Sequence, residues 1–119
     1  MKILLDDIRS PYDVFMNTVD FEYYKNEDWV VIRTYEDFVN YITEYGTPEM
    51  ASFDHDLTYE HYLSENQKDI NYETMKVKTG YHAAMWLIEY CKNKNTELPK
   101  IKVHSQNPEG KKNILGLFF

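Results

Sequence analysis

A chain of 119 residues holds one domain around one core, since a domain of this size buries roughly two thirds of the surface that its unfolded form exposes. Its formal net charge of −7 excludes a protein that grips long nucleic acid along the backbone, which needs a basic footprint, while leaving room for a small anion held by a few cations or a metal. One cysteine excludes an internal disulfide and fits a reducing compartment; with no charged-then-apolar leader and no apolar run near the ~20 residues of a membrane span, a soluble, cytoplasmic protein without a membrane partner is expected.

Lys2-Ile3-Leu4-Leu5 is apolar on consecutive positions, as a parallel strand covered on both faces should be, and Asp6-Asp7 ends it. Ser10 before Pro11 predicts an N-cap and first helical residue of a short helix through Tyr12, Val14 and Phe15. Asn17 to Asp28 is acidic and aromatic without periodicity, an irregular segment or a hairpin. Trp29 to Arg33 reads as a second strand because β-branched and aromatic residues dominate it. Thr34 caps a helix with Tyr35, Phe38, Val39, Ile42 and Tyr45 at helical spacing, and Gly46 stops it, with Pro48 beyond.

The third strand, Met50 to Phe53, runs into Asp54-His55-Asp56-Leu57. Thr58 to Lys78 is long for a connection in a small domain, the mark of a functional lid or a disordered loop. A short helix around Tyr59 to Glu65 fits it, and Tyr59, Tyr62 and Tyr72 either cover a ligand or sit half-buried on the surface. Thr79-Gly80 opens the longest helix, whose stripe of Tyr81, Ala84, Leu87, Ile88 and Cys91 places the cysteine in the core. After the loop Asn93 to Pro99, Lys100 to Val103 is the fourth strand, followed by His104-Ser105-Gln106-Asn107-Pro108-Glu109-Gly110. A last helix, Glu109 to Leu117, packs Ile114, Leu115 and Phe118 on the sheet. The final apolar residues Leu117, Phe118 and Phe119 either complete the core or meet a second subunit. Alternation of strand and helix predicts a single α/β domain over 1–119, a three-layer sandwich with a mainly parallel sheet, right-handed crossovers and strand order 2-1-3-4.

In that order the carboxyl ends of the first and third strands form the switch point where open α/β sheets bind ligands. Asp6, Asp7 and Asp54 converge there, an oxygen-rich set suited to a hard cation such as Mg²⁺ or Mn²⁺, which also relieves the repulsion of like charges. His55 and His104 extend that surface from two strand ends. A neutral imidazole takes a proton and an imidazolium gives one, so they form a candidate acid–base pair, with Asp56 orienting an imidazole. Ser105, Asn107 and the amides running to Gly110 make a polar turn opening a helix, a cradle for phosphate oxygens, with Arg9, Lys111 and Lys112 available for remaining charge. His61 and His82 lack such context and read as surface residues.

Together, Leu5-Asp6-Asp7-Ile8-Arg9-Ser10-Pro11, Phe53-Asp54-His55-Asp56-Leu57, Thr79-Gly80-Tyr81 and His104-Ser105-Gln106-Asn107-Pro108-Glu109-Gly110 resemble the cyclic-phosphate-processing receiver-like domain family of bacteria and their phages. The resemblance implies a small receiver-like, Rossmann-like fold. It implies that Asp6, Asp7 and Asp54 match the receiver's metal-binding and phospho-accepting pocket, that Ser105 matches its hydroxyl, and that Thr79 and Gly80 join the substrate-binding residues. The chain departs from the receiver pattern in having four evident strands, no evident fifth strand with the receiver's lysine, and the added His55 and His104.

The reading that follows is a phosphoesterase that opens a cyclic phosphate on a nucleotide or RNA end. Asp6, Asp7 and Asp54 would hold a divalent ion or order the site, His55, His104, Asp56 and Ser105 would carry the chemistry, and Arg9, Thr79, Gly80, Asn107, Gly110 and Lys111 would bind substrate. Two alternatives stand beside it: a protein that sequesters a cyclic nucleotide without cleaving it, its tyrosines stacking on bases, and a degenerate receiver that docks a partner protein.

Overall fold

Strand pairing sorts the apolar residues onto two faces before any helix is considered. The computed structural model describes residues 1–16, 28–58 and 70–119, and among them β1 (Lys2–Leu5), β2 (Trp29–Ile32), β3 (Met50–Phe53) and β4 (Lys100–Val103) form one all-parallel sheet ordered β2-β1-β3-β4. This is the order expected from the sequence. Leu5, Ile32, Phe53 and Val103 lie in one cross-strand row, and Ile3, Val30, Ala51 and Ile101 in another on the same face. Because side chains alternate along a strand, Leu4, Trp29 and Met50 point the other way.

The helices divide accordingly. α1 (Pro11–Met16) contributes Val14 to the cluster of Leu4, Trp29 and Met50. α2 (Tyr35–Tyr45), α3 (Gly80–Lys94) and α4 (Pro108–Phe118) cover the opposite face, where Phe38, Ile42, Ala83, Ala84, Leu87, Cys91 and Ile114 close over Ile3, Leu5, Ala51 and Phe53. Two right-handed crossovers in opposite directions along the sheet demand helices on opposite faces, which gives the three layers. Cys91 is buried, as its place on the helical stripe indicated.

Side-chain caps hold the helices at their starts, and that of α2 is among those the sequence predicts. Thr34 Oγ1 accepts the Asp37 N–H at 3.1 Å, and Gly46 ends α2 at φ 93°, a left-handed conformation that favours glycine. Asn107 Oδ1 accepts the Gly110 N–H at 3.0 Å to start α4. At the other end of α4, Leu117 and Phe118 pack on the main core, the Phe118 ring centroid 6.1 Å from that of Phe53, whereas Phe119 is exposed. The irregular or hairpin segment at 17–27 and the short helix at 59–65 lie outside the described residues. Within 70–78 the backbone forms a single 3-10 turn, Tyr72–Thr74, capped by Asn71 Oδ1 on the Glu73 N–H. No helix among the described residues is long and apolar enough to cross a membrane.

Candidate functional site

The sheet ladder continues one residue past three strands. Asp6 N–H donates to Ile32 O, Asp54 N–H to Leu5 O and His104 N–H to Phe53 O, at 3.0, 2.9 and 3.0 Å. The alternation therefore continues as well, sending Asp6 and His104 to the α1 side with Ser52, while His55 turns toward α3 and α4. One stretch of sequence thereby feeds two separate polar networks.

The first is built on Asp6, which is fully buried. Its Oδ1 accepts the backbone N–H groups of Ile8 (3.0 Å) and Arg9 (2.8 Å), and its Oδ2 accepts Arg9 Nε at 2.9 Å and His104 Nε2 at 3.0 Å. Burial by itself raises the Asp6 pKa, but the His104 bond, the two amides and the Arg9 charge overturn that and hold it at about 2. An ionised carboxylate only accepts, so His104 carries its proton on Nε2. Burial pushes the His104 pKa down, against the pull of Asp6, so the ring is neutral and Nδ1 accepts the Ser52 hydroxyl at 2.7 Å. Arg33 Nη1 donates to the carbonyls of Asp6 and Arg9 at 3.1 and 2.6 Å, tying β2 to the loop.

Asp54 completes this end of the site. It is 3 % exposed, and its Oδ1 lies 3.5 Å from Arg9 Nη2. Burial first, then the neighbouring Asp6 charge, push its pKa up to about 8, with Arg9 opposing. Carboxylate oxygens of Asp6, Asp7 and Asp54 all lie within 4.8 Å of one another. This donor set fits a hard divalent cation, whose charge would offset the burial and like-charge repulsion that together raise the Asp54 pKa. Asp6 already accepts four N–H groups, so Asp54 and Asp7 are the residues that would hold the ion most directly.

The second network runs through His55, which is 0 % exposed. Its Nδ1 donates to Asp56 Oδ1 at 2.7 Å, which leaves Nε2 for the Tyr72 hydroxyl at 2.9 Å. Asn107 Nδ2 donates to Asp56 Oδ1 at 3.1 Å, and Asn113 Nδ2 donates to the Tyr72 oxygen at 2.9 Å. Burial pushes the Tyr72 pKa up to about 12, so it stays a hydrogen-bond donor at neutral pH. Its ring stacks on Tyr81, centroids 4.1 Å apart at 15°, and both line a groove of about 920 Å³ between residues 70–78 and the start of α3, with His82, Met85, Lys76 and Lys78 around it.

Two glycines make room for this construction. A Cβ at Gly110 would overlap the His55 ring, and one at Gly80 would overlap the Asp54 carbonyl oxygen, so α3 and α4 reach the end of β3 only through residues without a side chain.

The family model described as the cyclic-phosphate processing receiver domain matches residues 1–118. The chain belongs to this family. Neither curated proteins nor solved structures gave a match.

In this receiver domain the residues singled out from the sequence come to one end of the sheet and divide between the two networks. Asp6, Asp7, Arg9, Asp54 and His104 gather on one side; His55, Asp56, Asn107 and Gly110 gather on the other. His104, expected to move protons, has both ring nitrogens engaged behind Asp6, a geometry that orients the carboxylate. Ser105 Oγ accepts the Asn107 N–H at 3.1 Å and shapes the turn. Thr79 is fully buried and caps α3, its Oγ1 accepting the Tyr81 N–H at 3.1 Å. Lys111 is exposed on the first turn of α4. His82, read as surface, is half-buried: its Nδ1 accepts the Thr79 N–H at 2.8 Å in a capping box, and its Nε2 donates to Tyr72 O at 3.2 Å. His61, Tyr59 and Tyr62 lie outside the described residues. Ser52, Arg33 and Asn113 are not among the residues that the sequence singles out, and Tyr72 is expected from it either to cover a ligand or to sit half-buried on the surface. Ser52 carried one signal, a hydroxyl within an otherwise apolar strand; Arg33 and Asn113 carried none.

Proposed function

We propose that this receiver domain hydrolyses a cyclic phosphate carried by a nucleotide or an RNA end. The observation that supports this reading is the Asp6–Asp7–Asp54 cluster, with Arg9 against it, beside a His55–Asp56 pair that the same strand end supplies. Asp54 and Asp7, backed by Asp6, would hold Mg²⁺ or Mn²⁺; the ion would draw charge from the phosphate oxygens and so favour attack at phosphorus. Arg9 offers a guanidinium to the same oxygens. His55, its Nδ1–H fixed on Asp56, keeps Nε2 as a hydrogen-bond acceptor for the Tyr72 hydroxyl and so belongs to the proton-transfer machinery. His104 keeps Asp6 ionised and in place.

Phosphorus NMR on the purified protein with 2′,3′-cyclic and 3′,5′-cyclic nucleotides, with and without Mg²⁺ or Mn²⁺, tests this. Metal-dependent conversion to a monoester, lost in Asp54→Asn, is the expected result. A second reading, sequestration of a cyclic nucleotide without cleavage, is favoured by the enclosure of both His55 and His104. It predicts shifted or broadened ligand signals with no product under any metal condition.

A further inference from the structure

His55 is enclosed on every side described. Gly110 packs against its ring, Asp56 takes Nδ1 and Tyr72 takes Nε2. A fully buried imidazole does not itself meet a phosphate ester. Tyr72 is the member of the line Asp56–His55–Tyr72–Asn113 that is half-buried and also lines the groove between residues 70–78 and α3. Its hydroxyl donates to His55 and accepts from Asn113, and a phenolic oxygen has a second lone pair for one further donor.

We propose that Tyr72 is the catalytic residue through which the buried His55–Asp56 pair acts, its hydroxyl passing protons between His55 and the reacting oxygen of a substrate. The proposal rests on the hydrolase reading. In the first step a water molecule attacks phosphorus and an O–P bond forms. The water proton goes to the Tyr72 oxygen as the Tyr72 proton moves to His55 Nε2, and Asp56 stabilises the resulting imidazolium through Nδ1–H. In the second step the ester O–P bond breaks, His55 returns its proton to Tyr72, and the Tyr72 proton passes to the leaving oxygen. Every group ends as it began, and no further reactant is required. Asn113 fixes the phenol oxygen, and the stack on Tyr81 fixes the ring. The same arrangement explains why one face of this small domain holds a tyrosine, an imidazole, a carboxylate and two asparagine amides in one hydrogen-bonded line.

The test compares wild type with Tyr72→Phe, which keeps the ring and its stack on Tyr81 and removes only the hydroxyl. Thermal unfolding establishes that the variant folds. With a cyclic nucleotide that wild type converts, Tyr72→Phe should lower kcat by about 10²- to 10⁴-fold, the usual contribution of a positioned acid–base group, with KM unchanged. Wild-type kcat in Tyr72→Phe overturns the relay and leaves the hydrolase reading standing. Long-range ¹H–¹⁵N NMR of the histidine rings is the second measurement and needs no turnover. His55 should carry its proton on Nδ1, and its Nε2 resonance should move toward that of a bare nitrogen in Tyr72→Phe. A His55 protonated on Nε2 alone, or a spectrum unchanged by Tyr72→Phe, overturns the relay. If wild type converts no cyclic phosphate, the hydrolase reading fails and the nitrogen spectrum alone decides whether Tyr72 is coupled to His55.

Discussion

At the scale of single residues, Asp54 couples the site to pH. Its carboxyl titrates near 3.8 in an unfolded chain and at about 8 in the fold, so between those values the folded state holds a proton that the unfolded state has released. Stability therefore falls as pH rises through that window. His104, depressed by burial, works in the opposite sense, but only below the ordinary histidine value of 6.5, so it does not oppose the Asp54 effect from pH 7 to 8.5. Urea titrations across that range should show wild type losing stability with pH and Asp54→Asn losing that slope. Added Mg²⁺ should stabilise wild type more at pH 8.5 than at pH 7, because the ion takes the place of the proton; a flat wild-type profile would mean Asp54 is ionised throughout. Ser52 offers a second check. Ser52→Ala leaves the buried His104 Nδ1 without its donor, which should cost about 1–3 kcal/mol; an effect below about 0.5 kcal/mol would mean that the 2.7 Å hydrogen bond contributes little.

Between elements, the decisive contacts are backbone on backbone. The start of α3 meets the end of β3 where Gly80 faces the Asp54 carbonyl, and neither partner is a flexible side chain that can move aside. Gly80→Ala should force the two elements apart, destabilising by about 1–3 kcal/mol or more as overpacking does. Gly116, exposed in α4 with open space around its Cα, is the contrast: Gly116→Ala should stabilise by about 0.5–1 kcal/mol through helix propensity alone. Circular dichroism melts of the two variants side by side test the pair, and an equal effect from both would show that Gly80 is not held by contact. Thr79 was legible as the start of α3 because a β-branched hydroxyl before a helical stripe is a cap signal. The reciprocal bond from His82 was not, since a histidine in a first turn has no fixed meaning until its partners are in place.

For the whole molecule, stability rests on the face covered by α2, α3 and α4. Phe38 is fully buried, its ring centroid 5.6 Å from that of Phe53 and 6.1 Å from that of Trp86. Phe38→Ala should cost about 3–5 kcal/mol out of the 5–15 kcal/mol typical of a domain, lowering the urea midpoint without changing its slope. A loss under about 1 kcal/mol would mean that the core closes over the missing ring.

The sequence by itself determined the elements, their parallel order and the strand ends at which chemistry collects. Strand and helix differ in hydrophobic period, caps and glycine stops mark boundaries, and acidic residues at the end of an apolar run have nowhere to go except a polar site. Thus Asp6, Asp54, His55 and His104 were legible as one end of a sheet. Only the tertiary structure decided how that end divides, because a period of two sends Asp54 and His55 to different networks, and Arg9 beside Asp54 and Tyr72 beside His55 come from other parts of the chain. Ser52 became the hydroxyl behind His104, Gly110 became the space for the His55 ring, and Tyr72 joined His55 across seventeen residues. Burial and hydrogen-bond geometry give these residues their roles, and both are properties of the packed chain.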